Sequence, residues 1–172
     1  MTSDDLPDDL AFEIPDDLSG LDALGGATEP TLALLLTQVA GAEPLVAVCA
    51  LAQVAADVVA SRIGAIAVLR ERGGTAPAES AAAVSALLAG SEVVLVTRAG
   101  SQLSATRFEG GERGADIPAG LLLDSAPADL EDLILGEKTV ADLQDVADST
   151  SMSRLGAMRA LKKIAKKMRK DQ

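Results

Sequence analysis

From Thr31 to Arg72 apolar residues follow one another so closely that only Gly41 and Pro44 divide the run. The segments on either side, Thr31 to Ala40 and Leu45 to about Arg72, both read as helices. In the second, Gln53, Asp57 and Ser61 fall at i, i+4 and i+8, a narrow polar seam on an otherwise apolar rod. Such a rod must be covered nearly all round. Its Ala47, Ala50, Ala55, Ala56, Ala60 and Gly64 would let a neighbouring backbone come close, so the expectation is a central helix packed within the core, with part of an oligomer interface as the alternative.

After the loop Gly73-Gly74-Thr75-Ala76-Pro77, the stretch Ala78 to Leu88 predicts a third helix, ended by Gly90. The period then changes from helical to extended. Glu92 to Arg98 and Gln102 to Phe108 alternate as paired strands, with Ala99-Gly100-Ser101 as the turn, so a β-hairpin is predicted over 92–108. A hairpin alone is marginal in water and needs a surface to lie on. Residues 112 to 128 read as an irregular connection in which Leu121-Leu122-Leu123 forms a short strand or plugs the core. A short helix from Asp129 to Leu135 closes at Gly136. Two further helices are expected, Thr139 to Asp148 with Leu143, Val146 and Ala147 inward, and a second capped by Ser153 or Ser151 and running to about Lys170. Its Leu155, Met158, Leu161, Ala165 and Met168 are spaced as one apolar stripe. The fold class predicted is mainly α (α+β). It comprises an acidic tail over 1–29, a small helical core domain with one β-hairpin over 30–136, and a C-terminal helix pair over 139–170.

Composition supports helix over sheet and removes most site chemistry. Hydrophobic residues make up 48% and aromatics only 1% of the chain, so burial falls to Ala, Leu and Val, of which Ala and Leu favour helices. With no histidine and one cysteine, the usual nucleophile-base pairs and transition-metal ligand sets are missing. Cys49, within Leu45 to Leu51, reads as a small buried hydrophobe. Gly73-Gly74 lacks the Gly-Lys-Ser/Thr of a phosphate loop, and Gly110-Gly111-Glu112-Arg113-Gly114 is a turn bearing both charges. No catalytic residue, metal ligand or cofactor is expected.

Charge is distributed unevenly along the chain. No lysine or arginine precedes Arg62, yet Arg154, Arg159, Lys162, Lys163, Lys166, Lys167, Arg169 and Lys170 all fall in the last nineteen residues. At the other end Pro-Asp-Asp-Leu occurs twice, through Asp8, Asp9 and Leu10 and through Asp16, Asp17 and Leu18, and Asp4-Asp5-Leu6 precedes them. Prolines and like charges oppose a packed helix there, and acidic-apolar alternation suits a docking segment as well as it suits a solubilising tail. The net charge of −11 repels polyanions over most of the surface. The acidic N-terminus is unlike a secretory signal, and Gln53, Asp57, Ser61 and Arg62 interrupt the longest apolar run, which argues against a spanning helix.

The Asp145-Val146-Ala147 approach, Met152 and Ser153 after the turn, and Arg159-Ala160-Leu161 give Leu143 to Ile164 a pattern that resembles the helix-turn-helix of bacterial repressor families. The resemblance covers about a seventh of the chain. It implies that the second helix enters a major groove, that the first crosses the backbone, and that the terminal lysines meet phosphates.

Together these features predict a cytoplasmic, non-enzymatic interaction protein. It would be an adaptor, chaperone-like factor or assembly subunit acting through the acidic N-terminal segment and the basic amphipathic C-terminal helix. The expected partner is another protein or a second copy, with membrane surface disfavoured for want of aromatic anchors. The alternative is a nucleic-acid-binding regulator that uses residues 139–170, with contacts over 153–170. The two oppositely charged ends would equally suit each other.

Overall fold

The computed structural model describes residues 29–88 and 90–170. It is an α+β fold built on a seven-stranded antiparallel sheet, which corrects the expectation of a mainly helical domain with one hairpin. The elements in order are β1 (Leu32–Thr37), α1 (Ala42–Ala52), β2 (Ala56–Ser61), β3 (Gly64–Leu69), α2 (Ala76–Leu87), β4 (Val93–Ala99), β5 (Gln102–Glu109), β6 (Glu112–Ile117), α3 (Ala119–Ser125), α4 (Ala128–Leu135), β7 (Ala147–Asp148) and α5 (Arg154–Lys170). The strand order is β6-β5-β4-β1-β3-β2-β7. The acidic segment, including its predicted docking residues, lies outside the described residues.

β1 is central and buried along its whole length. Its side chains alternate between two cores. Ala33 and Leu35 join Ala65, Ala67, Val93 and Leu95 beneath α1 and α2, whose Leu45, Val48, Cys49, Ala81 and Val84 complete that layer. Leu32, Leu34 and Leu36 join Ile66, Val68 and Val96 on the opposite face under α4, through Leu130, Leu133 and Ile134. A strand buried on both faces carries a continuous apolar run, which is why Thr31 to Ala40 resembles a buried helix in sequence.

The predicted rod from Leu45 to Arg72 is in fact α1 followed by the hairpin β2–β3. Gln53 ends α1 in the left-handed conformation with φ 59. Asp57 and Ser61 lie on one face of β2, opposite the face that carries Ala56 and Val58. A spacing of four is even, so it fits the twofold period of a strand as well as a helical turn. The tight turn requires Gly64, which has φ +130; a Cβ there would lie 1.9 Å from the Thr37 carbonyl oxygen. Thr37 reinforces the contact by donating its hydroxyl to the Ala65 carbonyl at 2.7 Å.

The hairpin over 92–108 is present as β4 and β5 and is two strands of seven, with Val93 opposite Phe108 and Ala99 opposite Gln102. Gly110 and Gly111, both at positive φ, turn the chain back into β6. β6 is an almost wholly exposed edge strand, so it shows no apolar period. Leu121 to Leu123 belong to α3 rather than to a strand.

The predicted helix Thr139–Asp148 does not form. Thr139 and Asp142 close a capping box around one 3-10 turn, Val140–Asp142; Leu143 is then extended and Asp145 has φ 56. Asp145 and Asp148 would have stood in the last turn of that helix, where carboxylates oppose the macrodipole. Ala147 and Asp148 instead pair with Val58 and Asp57 as β7.

Replacing Gly64 by Ala is expected to cost at least about 3 kcal/mol, because a left-handed backbone and a fixed carbonyl oppose the new methyl together. Urea unfolding of the variant against the parent checks this, and an unchanged midpoint would refute the assignment of the β2–β3 turn.

Candidate interaction surface on the C-terminal helix

How α5 is held begins one residue after β7. Ser149 is 1% exposed; its hydroxyl donates to the Val54 carbonyl and accepts from the Ala56 N–H, both at 2.8 Å. These backbone groups lie on the outer side of β2, just beyond its pairing with β7, so a side chain takes the place of a ladder partner. The Asp148 carboxylate accepts from the Thr150 hydroxyl and N–H at 2.7 Å each, and these bonds, with the Arg70 guanidinium, hold it below the usual carboxylate range. Arg70 reaches Asp57 through Nε at 3.2 Å and Asp148 through Nη2 at 3.1 Å, which joins the ends of β2, β3 and β7. Ser153 then caps α5 by accepting from the Gly156 N–H at 3.1 Å.

α5 lies on α1. Its one fully buried residue is Ala157, which meets Ala47 and Ala50 with Leu51, Met152, Ala160 and Leu161 around them. Contact between small side chains brings the backbones close but removes little apolar area, and half-buried Leu161 and Ile164 add only about 1 kcal/mol each. The phase corrects the predicted stripe. Leu155 and Met158 point outward, at 59% and 49% exposure, while the inward line is Ala157, Leu161, Ile164 and Met168. Apolar bulk suggested the stripe, whereas close packing on α1 selects the smallest residue.

Along that inward line burial falls away. Ala157 is fully buried, Leu161 and Ile164 are half-buried, and Met168 is 65% exposed. The final turns therefore run past their cover. Every one of the predicted contact residues Arg154, Arg159, Lys162, Lys163, Lys166, Lys167, Arg169 and Lys170 is exposed, and α5 contains no acidic residue. Residues 155, 158, 162, 166 and 169 follow helical spacing on the side turned from α1. They form a strip with Leu155 and Met158 at one end and Lys162, Lys166 and Arg169 along the rest.

Elsewhere the described cations other than Arg62 serve the fold. Arg70 and Lys138 each join two carboxylates, and Arg107 and Arg113 one each. Arg98 donates to the Ile134 carbonyl at 2.9 Å and Arg72 to the Thr31 carbonyl. Among the described residues no α5 cation forms an ion pair.

On the other face of the sheet is a groove of ≈ 880 Å³ that the sequence did not suggest, floored by Val59, Ile66 and Val68 and bounded by Leu133 and Leu143. Lys138 at its rim is tied to Asp129 and Asp132 at 2.7 and 2.8 Å. Among the described residues no buried side-chain polar atom lacks a partner, and no group of three or more His, Cys, Asp or Glu side chains is placed to hold a metal. Cys49 is buried, and desolvation pushes its thiol up to about 12. No described helix is long and apolar enough to cross a membrane. The helix-turn-helix geometry is not formed, because residues 140–148 supply a 3-10 turn and a strand where the first helix would cross the DNA backbone.

Ser149→Ala is expected to cost about 1–3 kcal/mol, since it strands a buried N–H and C=O, and to raise amide exchange in α5 more than in β1. Because the native Asp148 carboxyl is held low, its contribution is present above the ordinary carboxylate range and is lost as pH falls through its depressed value. Urea midpoints measured from about pH 6 to about pH 2 should therefore fall less steeply in Asp148→Asn than in the parent.

No family model, curated protein or solved structure matches this chain.

Proposed function

We propose that this chain is a non-enzymatic interaction protein of the adaptor type, acting in the cytoplasm, with α5 as its presenting element. Its partner is a protein surface that combines carboxylates with apolar side chains. The observation that carries this reading is a contrast. The described cations of the body, Arg62 excepted, are bound to carboxylates or backbone oxygens of the fold, whereas the eight of α5 face solvent beside exposed Leu155 and Met158. Like charges at Lys162/Lys166, Lys163/Lys167 and Lys166/Lys170 each oppose the helix by about 0.2–0.5 kcal/mol. An anionic partner would relieve that repulsion, and Leu155 and Met158 would supply the desolvated anchor that charge alone does not.

A cytoplasmic setting accords with a lone, reduced cysteine. Nucleic acid would engage the lysines without needing Leu155 or Met158, which provides the discriminating test. Full-length protein is used to capture partners from lysate with and without nuclease. Capture is expected to survive nuclease, and to fall by about ten-fold, or about 1.4 kcal/mol, in Leu155→Ser/Met158→Ser. Those positions are exposed, so the fold should stay within about 0.5 kcal/mol of the parent. Loss of capture on nuclease treatment, or capture indifferent to the two substitutions, overturns the proposal.

A further inference from the structure

The outward strip of α5 has a chemical complement within the same chain. It offers two apolar side chains, Leu155 and Met158, followed by Lys162, Lys166 and Arg169, all exposed. The unit Asp-Asp-Leu supplies the reverse, two carboxylates beside one branched apolar group, and it occurs at 4–6, 8–10 and 16–18. Totals agree as well. Residues 1–28 carry seven Asp and one Glu with no basic residue, against eight basic and no acidic residues in α5.

The chain enters the sheet at Leu32, and residues 19–30 extend to at most about 40 Å. α5, with 17 residues, is about 25 Å long.

We propose that residues 4–18 of the same chain are the resident occupant of the Leu155–Arg169 strip, so that an outside partner gains α5 by displacing them. This inference rests on the reading of α5 as a presenting surface and deepens it into a regulated one. Two features of the structure favour the strip over other surfaces of the body. The remaining cations, apart from Arg62, are already engaged within the fold. The groove beneath α4 is lined by Asp129, Asp142 and Asp145 as well as by Arg62 and Lys138, and Lys138 is already paired with Asp129 and Asp132, so it offers an acidic segment Arg62 as an unengaged cation against Lys162, Lys166 and Arg169 along the strip.

The four methionines provide the test in the full chain. Met158 lies in the strip, while Met152 is half-buried against α1 and reports on the body. Methyl spectra of 13C-methionine-labelled protein are recorded at about 10 mM and about 1 M salt, where the screening length falls from about 30 Å to about 3 Å. The comparison is with a variant in which Asp4, Asp5, Asp8, Asp9, Asp16 and Asp17 are all replaced by Asn. The expected result is a salt-dependent shift of Met158 in the parent, absent from the variant, with Met152 unmoved in both. A Met158 response that is equal in the two proteins, or absent from both, overturns the proposal. So does a response that grows with protein concentration, since the occupant would then belong to a second copy. Partner capture by α5 is scored separately by the Leu155→Ser/Met158→Ser experiment, so one reading can fail while the other stands.

Discussion

One buried hydroxyl determines where the C-terminal helix sits. The outer edge of β2 needs partners for the Val54 carbonyl and the Ala56 N–H, and β7 is only two residues long. Ser149 fills both positions from a site more than ninety residues away in sequence. Because it is buried, water cannot substitute, and the cost of losing it is that of stranded backbone groups. Once Ser149 is placed, Met152 falls against α1, Ser153 is set to cap, and the first turns of α5 are aimed along α1. The phase that turns Ala157 inward and Leu155 outward follows from this anchor and from the small residues of α1.

The central sheet makes that anchor possible. With β1 buried on both faces and α1 and α4 on opposite sides, the two main cores lie within the sheet and these helices, and α5 packs on the outer surface of α1, reaching the first core only through Leu161. A helix held by one fully buried alanine and two half-buried aliphatics belongs to the low end of the local stability range. That is compatible with a binding role, since an element that contributes little to the core is free to be shaped by what it binds.

How much of this was legible in the sequence depended on whether a local period survived. The β4–β5 hairpin was readable because alternation and turn residues agreed over 92–108, and α4 because apolar spacing ended at Gly136. The basic helix was readable from Lys162 to Lys170, although its phase was not, because hydropathy ranks Leu155 above Ala157 whereas close packing reverses the order. β1 and β3 are buried on both faces, so their apolar runs carry no period at all. At β2 the polar positions Asp57 and Ser61 are four apart, a spacing shared by strand and helix. The Ser149 anchor could not be read, since a hydroxyl that meets backbone more than ninety positions away leaves no local mark. Asp148 with Thr150, a carboxylate two residues ahead of a hydroxyl, was the one cue that the chain turns there.

The layout of charge takes its meaning from the fold. In sequence, acidic and basic ends look like two independent tails. In the structure the body has satisfied nearly all of its own cations and leaves those of α5 unpaired among the described residues. A helix crowded with like charge and bearing exposed apolar groups is costly to present alone, because it combines mutual repulsion with unburied Leu155 and Met158. Anionic contact relieves the first cost and apolar contact the second. Only a ligand offering both together relieves the whole, which sets a chemical requirement on any occupant of this surface that polyanion affinity by itself would not meet.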